Sequence, residues 1–324
     1  MLALKIPPEG QNGFSRNWYP LCLSSDVEHH NVVGRDFLDG RVVAFRDREG
    51  TAHVTTAYCP HLGADLSGGD LTEEGLRCPF HHWVFDGSGT CVRTGCDDSP
   101  PPKARLFAYP AAERYGVLWV FNGDSPDYDL PQFTRAADQL VCRAIEFDEV
   151  FPVDPWVVMA NTPDLQHLKA VHGFVFDDRD PDPDDFAWDE RSFRYFLKGR
   201  LPSGDRIDAE VGIVGTNVFR QQGLFRDRWF GFLMAFTIPR RGTTSSFMIF
   251  FADPADDATT GIGAGSFIDS LLDMETHVID GDRAILRNVH FQVGTMTRTD
   301  RALIRFLHFV RDYPRDHPAH GFDQ

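Results

Sequence analysis

Cys59-Pro-His61 and Cys78-Pro-Phe-His81 place two thiol–imidazole pairs in one chain, with sixteen residues between them. Such a donor set suits a two-iron, two-sulfide cluster in which the thiolates hold one iron and the imidazoles hold the other. The same four residues also make a tetrahedral zinc site, and spacing by itself leaves that rival open. Both pairs fall in Pro- and Gly-containing stretches, so two loop tips could close around one cluster.

A second constellation lies further on, in Asn161-Thr-Pro-Asp164-Leu-Gln-His167-Leu-Lys-Ala-Val-His172. Two histidines and one carboxylate with open positions suit Fe(II) and dioxygen. Residues five apart on an ideal helix point about 140° away from each other. A helix carrying His167 must therefore distort or end near His172, which Gly173 allows. Two surface histidines are the plain alternative, and for Asp164 it is a surface acid pairing with Lys169. The carboxylate ligand must come from elsewhere. On a helical wheel Asp282 falls in an apolar stripe with Leu271, Val278, Ile285, Leu286 and Val289, where an unpaired carboxylate is costly unless it meets a metal or a partner. Asp273 and Asp280 lie off the stripe. Glu275 lies near it and is the rival, so the expected ligand set is His167, His172 and Asp282.

The elements that must position these residues can be read from pattern. Arg41–Arg46 and Thr51–Tyr58, joined by the turn formers Asp47 to Gly50, read as a hairpin, and Gly116–Phe121 as a strand. Asn122–Pro131 is rich in turn formers and marks a boundary between expected domains at 1–130 and 131–324. Beyond it the pattern predicts a strand over Leu140–Phe151, a helical segment from Val153 to about His172, and several strands between Phe193 and Phe251. Two helices follow, from about Phe267 to Val289 and about Asp300 to Tyr313. Strands closed by a helix indicate an α+β domain with the helix packed on an antiparallel sheet. Residues 177–190 hold eight acids and one base. Their prolines, with Asp185 and Arg191 at the sixth and twelfth positions, argue against a calcium loop and for a solvated loop. Gly261-x-Gly-x-Gly265 lacks a nucleotide-binding spacing and reads as a flexible loop.

Composition narrows the function further. With 32 basic against 48 acidic residues the net charge is −16, which excludes a basic nucleic-acid face or a polybasic membrane anchor. No apolar run approaches the roughly 20 residues of a membrane span, and Met1–Gly10 lacks a signal-peptide core, so the expected location is cytoplasmic. Six cysteines are too few for a secreted disulfide scaffold, which turns attention to metal ligation. Cys91 and Cys96 lack the spacing of a plant-type ferredoxin and, with Cys22 and Cys142, read as ordinary thiols.

With His61-Leu-Gly63 and Cys78-Pro-Phe-His-His-Trp83 as context, and Asp164-x-x-His167-x₄-His172 downstream, the chain resembles the terminal oxygenase α subunits of the Rieske non-heme iron oxygenases. That resemblance implies an N-terminal all-β Rieske [2Fe–2S] domain, with Cys59, His61, Cys78 and His81 as cluster ligands. It implies a helix-grip (START-like) catalytic domain after it, holding a mononuclear Fe(II). It further implies a head-to-tail homotrimer in which Asp164 bridges a cluster histidine of one subunit and an iron histidine of the next. Electrons would come from a separate NAD(P)H-dependent reductase, directly or through a ferredoxin, since the chain has no flavin or nicotinamide fingerprint. The implied reaction is oxidation of a small apolar organic substrate with O2, monooxygenation ahead of dioxygenation. Ala64 and Phe80 stand where the respiratory branch has a disulfide, which implies a less oxidising cluster. His82 departs from the glycine of many relatives and reads as a neighbour of the site. Gly281-Asp282-Arg-Ala-Ile285-Leu-Arg-Asn288, the Asp300–Tyr313 tail and His61–Ser67 resemble the 3-ketosteroid 9α-hydroxylase and cholesterol 7-desaturase branch, which implies a steroid-like or polycyclic substrate. An O- or N-demethylase, or an oxygenase of smaller aromatics, is the alternative within the class. Outside it stand a Rieske electron carrier without catalysis and a lipid-binding helix-grip module with structural zinc.

Overall fold

The computed structural model describes residues 4–96, 98–257 and 266–322; the Gly261–Gly265 stretch lies outside them. The chain divides into two compact units. One holds residues 9–127 with 237–241 and the stretch from 315; the other holds 128–236 and 242–314 with the residues before Glu9.

The first unit is built from short antiparallel strands. Val33–Phe37, Gly40–Arg46, Ala52–Thr56 and Ala108–Tyr109 form one sheet, and Trp18–Leu23, Val117–Phe121 and Ala111–Arg114 a second. The expected hairpin is there, with Val42 opposite Thr56 and Arg46 opposite Ala52. A third sheet of short strands, Asp70–Thr72, Gly75–Arg77, Val84–Phe85 and Cys91–Arg93, stands beside them in sequence. Phe14–Ser15 pairs with Arg315–Asp316, which ties the end of the chain into this unit.

The second unit is an eight-stranded sheet with helices. Its order runs Val141–Phe151, Thr244–Ala252, Arg228–Thr237, Val218–Phe225, Arg206–Val214, Ser192–Arg200, Val175–Phe176, with Ala187–Trp188 as a further short partner of Ser192–Arg200. In Ser192–Arg200 the burial alternates strictly, Phe193, Tyr195 and Leu197 inward, as a half-buried strand requires. Arg228–Thr237 and Thr244–Ala252 are buried on both faces and read accordingly as continuous apolar runs. Phe230, Phe232, Phe236 and Phe250 belong to the same core as the helices. Phe250 is fully buried and stacks on Phe232 with 4.9 Å between ring centroids. Phe250→Ala should therefore cost about 3–5 kcal/mol. The check is a lowered denaturant midpoint with an unchanged slope.

The segment expected as one helix from Val153 to His172 is two short ones, α1 (Pro155–Met159) and α2 (Leu165–Ala170). Pro163 explains the break, because it lacks an N–H and disfavours helical geometry at Thr162. After a single turn at Pro254–Asp257 (α3) come α4 (Phe267–Leu286) and α5 (Arg301–Asp312). Ser266 caps α4: its Oγ accepts from the Asp269 N–H while the Asp269 carboxylate accepts from the Ser266 N–H. Two ties from strand Val141–Phe151 set the register of α4. Arg143 donates to Asp269 at 2.5 Å near the N-terminus, and Glu149 accepts from Arg283 at 2.7 Å and Arg287 at 2.6 Å near the C-terminus. The buried edge of α4 is Phe267, Ile268, Leu271, Glu275, Ile279 and Leu286. Ile285, assigned to the apolar stripe by the wheel, is 43% exposed, so the stripe is narrower than sequence suggests. The acidic loop is more tied than its composition implies: Phe186 is buried and stacks on Tyr195, Lys169 pairs with Asp180, and Arg301 with Asp184. Among the described residues no helix is long and apolar enough to cross a membrane.

Candidate metal centres

In the first unit, the loop after strand Ala52–Thr56 carries Cys59 and His61, and the loop after Gly75–Arg77 carries Cys78 and His81. Each loop is closed by its own backbone. The Cys59 N–H donates to Ala64 O at 2.9 Å and the Gly63 N–H to Cys59 O at 2.8 Å; in the other loop the Cys78 N–H donates to Trp83 O at 2.7 Å. Both thiols are buried, while His61 is exposed and its ring centroid stands 4.6 Å from that of His81. Trp83 stacks on His61 at 4.5 Å and within 6° of parallel, which fixes the imidazole plane. Burial, and then the neighbouring Cys78, push the Cys59 thiol up to about 12. As a neutral thiol Cys59 packs like any buried cysteine, and it becomes a ligand only where a metal draws off its proton; two such thiols held in facing loops with two imidazoles are the donor types an iron–sulfur cluster takes. The donor set therefore fits a cluster.

Four further residues stand around these loops. His82 has φ +57° and is exposed, so its position is one where glycine is the relaxed choice and its ring is not turned inward. Gly95 comes so close that an added Cβ would meet the His81 carbonyl at 2.1 Å, a packing constraint with no local sequence signal. Leu62 and Phe80, beside the two histidines, are 65% and 57% exposed.

In the second unit, α2 and α4 bring together His167, His172 and Asp282. His167 Nε2 and His172 Nε2 are 2.9 Å apart, and Asp282 Oδ1 is 3.0 Å from the first and 3.5 Å from the second. Donors on one face of an octahedron, each about 2.1 Å from a metal, stand about 3 Å apart. Asp282 Oδ1 is buried and, despite this proximity, accepts no hydrogen bond of good geometry, as expected where donors face a common centre. Burial raises the affinity of Asp282 for a proton, but the two imidazoles outweigh it and hold the carboxyl down to about 2. These residues fit a divalent metal.

The local chain explains how histidines five apart converge. α2 ends at Ala170, and Gly173 at φ +60° lets the chain turn so that the Phe174 N–H reaches back to Leu168 O at 2.9 Å. His172 thus leaves the helix and swings toward His167. Asp164 is the N-cap of α2: its Oδ1 accepts from the N–H groups of Gln166 and His167, both at 3.0 Å. Its alternative partner, Lys169, pairs with Asp180 instead.

The triad opens on a cavity of about 160 Å³. Its lining is mostly apolar, including Phe151, Met159, Leu197, Phe232, Met234 and Ile279. Glu275, the rival ligand, is not among the three converging groups; it lines the cavity elsewhere, as does Gln221, a residue without a motif to draw attention to it.

The family model for the Rieske [2Fe-2S] domain matches residues 17–110. The N-terminal part of this chain is a Rieske domain. Its sequence relatives include proteins named as desaturases and as oxygenase components. A cholesterol 7-desaturase of Bombyx mori is 29% identical over 175 residues, 53% of this chain and 37% of the relative. The oxygenase component of a 3-ketosteroid-9-alpha-monooxygenase from Rhodococcus rhodochrous is 34% identical over 120 residues, 36% of this chain and 31% of the relative. The chain thus spans well under half the length of these curated relatives. Crystal structures cover more of it. Dicamba monooxygenase bound to dicamba matches 92% of this chain and 97% of its own at TM-score 0.69 and 18% identity. NdmA of Pseudomonas putida CBB5 with caffeine matches 91% and 89% at TM-score 0.73 and 19% identity. A Rieske domain followed by a sheet-rich domain with few helices is the fold of the Rieske oxygenases, and this chain has it.

Proposed function

We propose that this chain is the terminal oxygenase component of a multi-component Rieske system and oxidises a compact apolar molecule with O2. The observation that carries the reading is the convergence of His167, His172 and Asp282 at an apolar cavity, in a chain that also holds a Rieske domain. Cys59, His61, Cys78 and His81 would hold the [2Fe–2S] cluster, and the triad a mononuclear Fe(II). When bound, the cluster supplies electrons and the iron supplies oxygen activation. The protein's own contribution is position and dryness. Trp83 and the closed loops orient the cluster histidines, the Asp164 cap and Gly173 aim His167 and His172, and the Phe- and Met-rich lining keeps water from the reacting carbon. Relatives are named as oxygenase components or subunits, which supports a separate reductase as electron donor. The trimer with Asp164 as a bridge between subunits belongs to the same reading.

Substrate size follows from volume. A cavity near 150 Å³ is known to accommodate benzene, and drug-sized ligands occupy about 300–1,000 Å³. At about 160 Å³ the site favours a one-ring substrate. A second reading, a steroid-sized substrate, is favoured by a neighbouring cavity of about 670 Å³ that shares His172, Leu201, Met274 and Val278 with the first. Monooxygenation is preferred on the names of the relatives.

The test is iron and acid-labile sulfide per chain after anaerobic purification and iron restoration. About three irons and two sulfides are expected, one cluster and one mononuclear site. Two irons with two sulfides would replace this reading with an electron carrier. Zinc without sulfide would point to the lipid-binding module.

A further inference from the structure

Glu275 stands on α4 seven residues before Asp282, which places it on the same helix face, two turns away and about 10 Å along the axis. Its side chain lines the cavity and the residue is 7% exposed. Among the described residues it has no hydrogen-bond or ion-pair partner, and burial is the sole influence on its proton affinity, pushing it up to about 8. No lysine or arginine lines the cavity, and the two histidines there face Asp282. Gln221, 6% exposed on strand Val218–Phe225, is another polar side chain at the cavity that has no hydrogen-bond partner among the described residues. An unpaired carboxyl in an apolar cavity destabilises the fold, and leucine would fill the same space without that cost. A partnerless carboxyl on the cavity wall is available to hydrogen-bond whatever the cavity takes in.

We propose that Glu275 is the specificity-determining residue of this cavity: its carboxyl donates a hydrogen bond to a carbonyl group on an otherwise apolar, uncharged substrate, and the site rejects substrate carboxylates. The inference rests on the reading of the cavity as the substrate site. Burial pushes the Glu275 carboxyl up to about 8, which favours the protonated form and an O–H donor at neutral pH. A carbonyl held two helical turns from the triad leaves the far side of a one-ring molecule at the metal. A carboxylate brought against this wall, two helical turns from the metal ligands, would lose its hydration where no lysine or arginine lines the cavity.

The experiment is anaerobic isothermal titration calorimetry at pH 7 on the iron-loaded protein with acetophenone, ethylbenzene and phenylacetate. Oxygen is absent, so binding is read without turnover. Wild type should bind acetophenone about 10-fold more tightly than ethylbenzene, the worth of one buried hydrogen bond, and should not take up phenylacetate measurably. Glu275→Gln keeps a donor and should preserve the ketone preference. Glu275→Leu should bring the ketone-to-hydrocarbon ratio to about 1 while still binding ethylbenzene. Its unliganded melting temperature should equal or exceed that of wild type, which a structural role for Glu275 would forbid. Equal affinities for the ketone and the hydrocarbon in wild type, a preference surviving in Glu275→Leu, a lower melting temperature in that variant, or no binding of either neutral probe would overturn the proposal. The iron-to-sulfide ratio of the same preparations separates the two failures. Two irons per chain defeats the oxygenase reading whatever the ligand ratio, whereas three irons with no ketone preference defeats this inference and leaves that reading standing.

Discussion

Asp282→Ala should strip the mononuclear metal while leaving the visible spectrum of the cluster intact. Removal of a single hydrogen-bonding group around a metal ligand already weakens binding by roughly 10–100-fold, and losing a ligand outright should exceed about 100-fold. Asp282 is also the one anionic donor of the set, so its loss leaves a dication facing two neutral imidazoles. The fold should survive. Helix α4 is held at one end by Arg143 and Asp269 and at the other by Glu149 with Arg283 and Arg287, and none of these ties passes through Asp282. Iron per chain should therefore fall from about three to about two, with substrate-dependent oxygen uptake abolished and the metal-free protein still folded, its melting temperature lowered only by loss of the Asp282 contacts to His167 and His172. Glu275→Gln serves as the internal comparison and should retain all three irons, because Glu275 stands apart from the converging donors. Undiminished iron in Asp282→Ala would remove it from the ligand set and point to a carboxylate elsewhere.

How much of this was open to sequence reading depends on the range of the interaction. The Cys59/His61 and Cys78/His81 pairs stand out because each is local, a thiol and an imidazole two or three residues apart in a turn. Strand Ser192–Arg200 is legible for the same reason, since its alternation is written in consecutive residues. Asp282 stands out in the sequence because a carboxylate on a mostly apolar helix face is physically awkward, although the apolar pattern extends to Ile285, which is exposed. The break between α1 and α2 is encoded by Thr162-Pro163, against an apolar pattern on either side that reads as one continuous helix. Other features have no local signature at all. The pairing of Phe14–Ser15 with Arg315–Asp316 joins residues about 300 positions apart, and neither dipeptide has strand character. Gln221 looks like any polar residue on a strand until the sheet turns it into the cavity. Gly95 is one of many glycines until the His81 carbonyl is found against it. The acidic segment 177–190 reads as solvated by composition, yet Phe186 within it anchors to Tyr195.

Asp164→Asn should keep both metal sites and slow electron transfer from cluster to iron on the order of 100-fold, as for loss of an outer-shell group. The choice of asparagine follows from what the carboxylate already does. One oxygen, Oδ1, caps α2 by accepting from the Gln166 and His167 N–H groups, and the other makes no hydrogen bond to a described residue. An asparagine Oδ1 can keep the cap, so α2 and the placement of His167 persist. Its remaining group is an NH₂ donor, which cannot accept an N–H from an imidazole as a carboxylate oxygen does. Asp164→Ala removes both functions and should lose about 1 kcal/mol of stability along with the electron transfer. The measurement is single-turnover oxidation of the reduced cluster with substrate and oxygen, followed by its visible absorption. A slow trace in both variants, with stability lost in alanine only, assigns the bridging role to the carboxylate's free oxygen. A normal trace in Asp164→Asn would confine Asp164 to capping α2, and the route between cluster and iron would then have to pass through other residues.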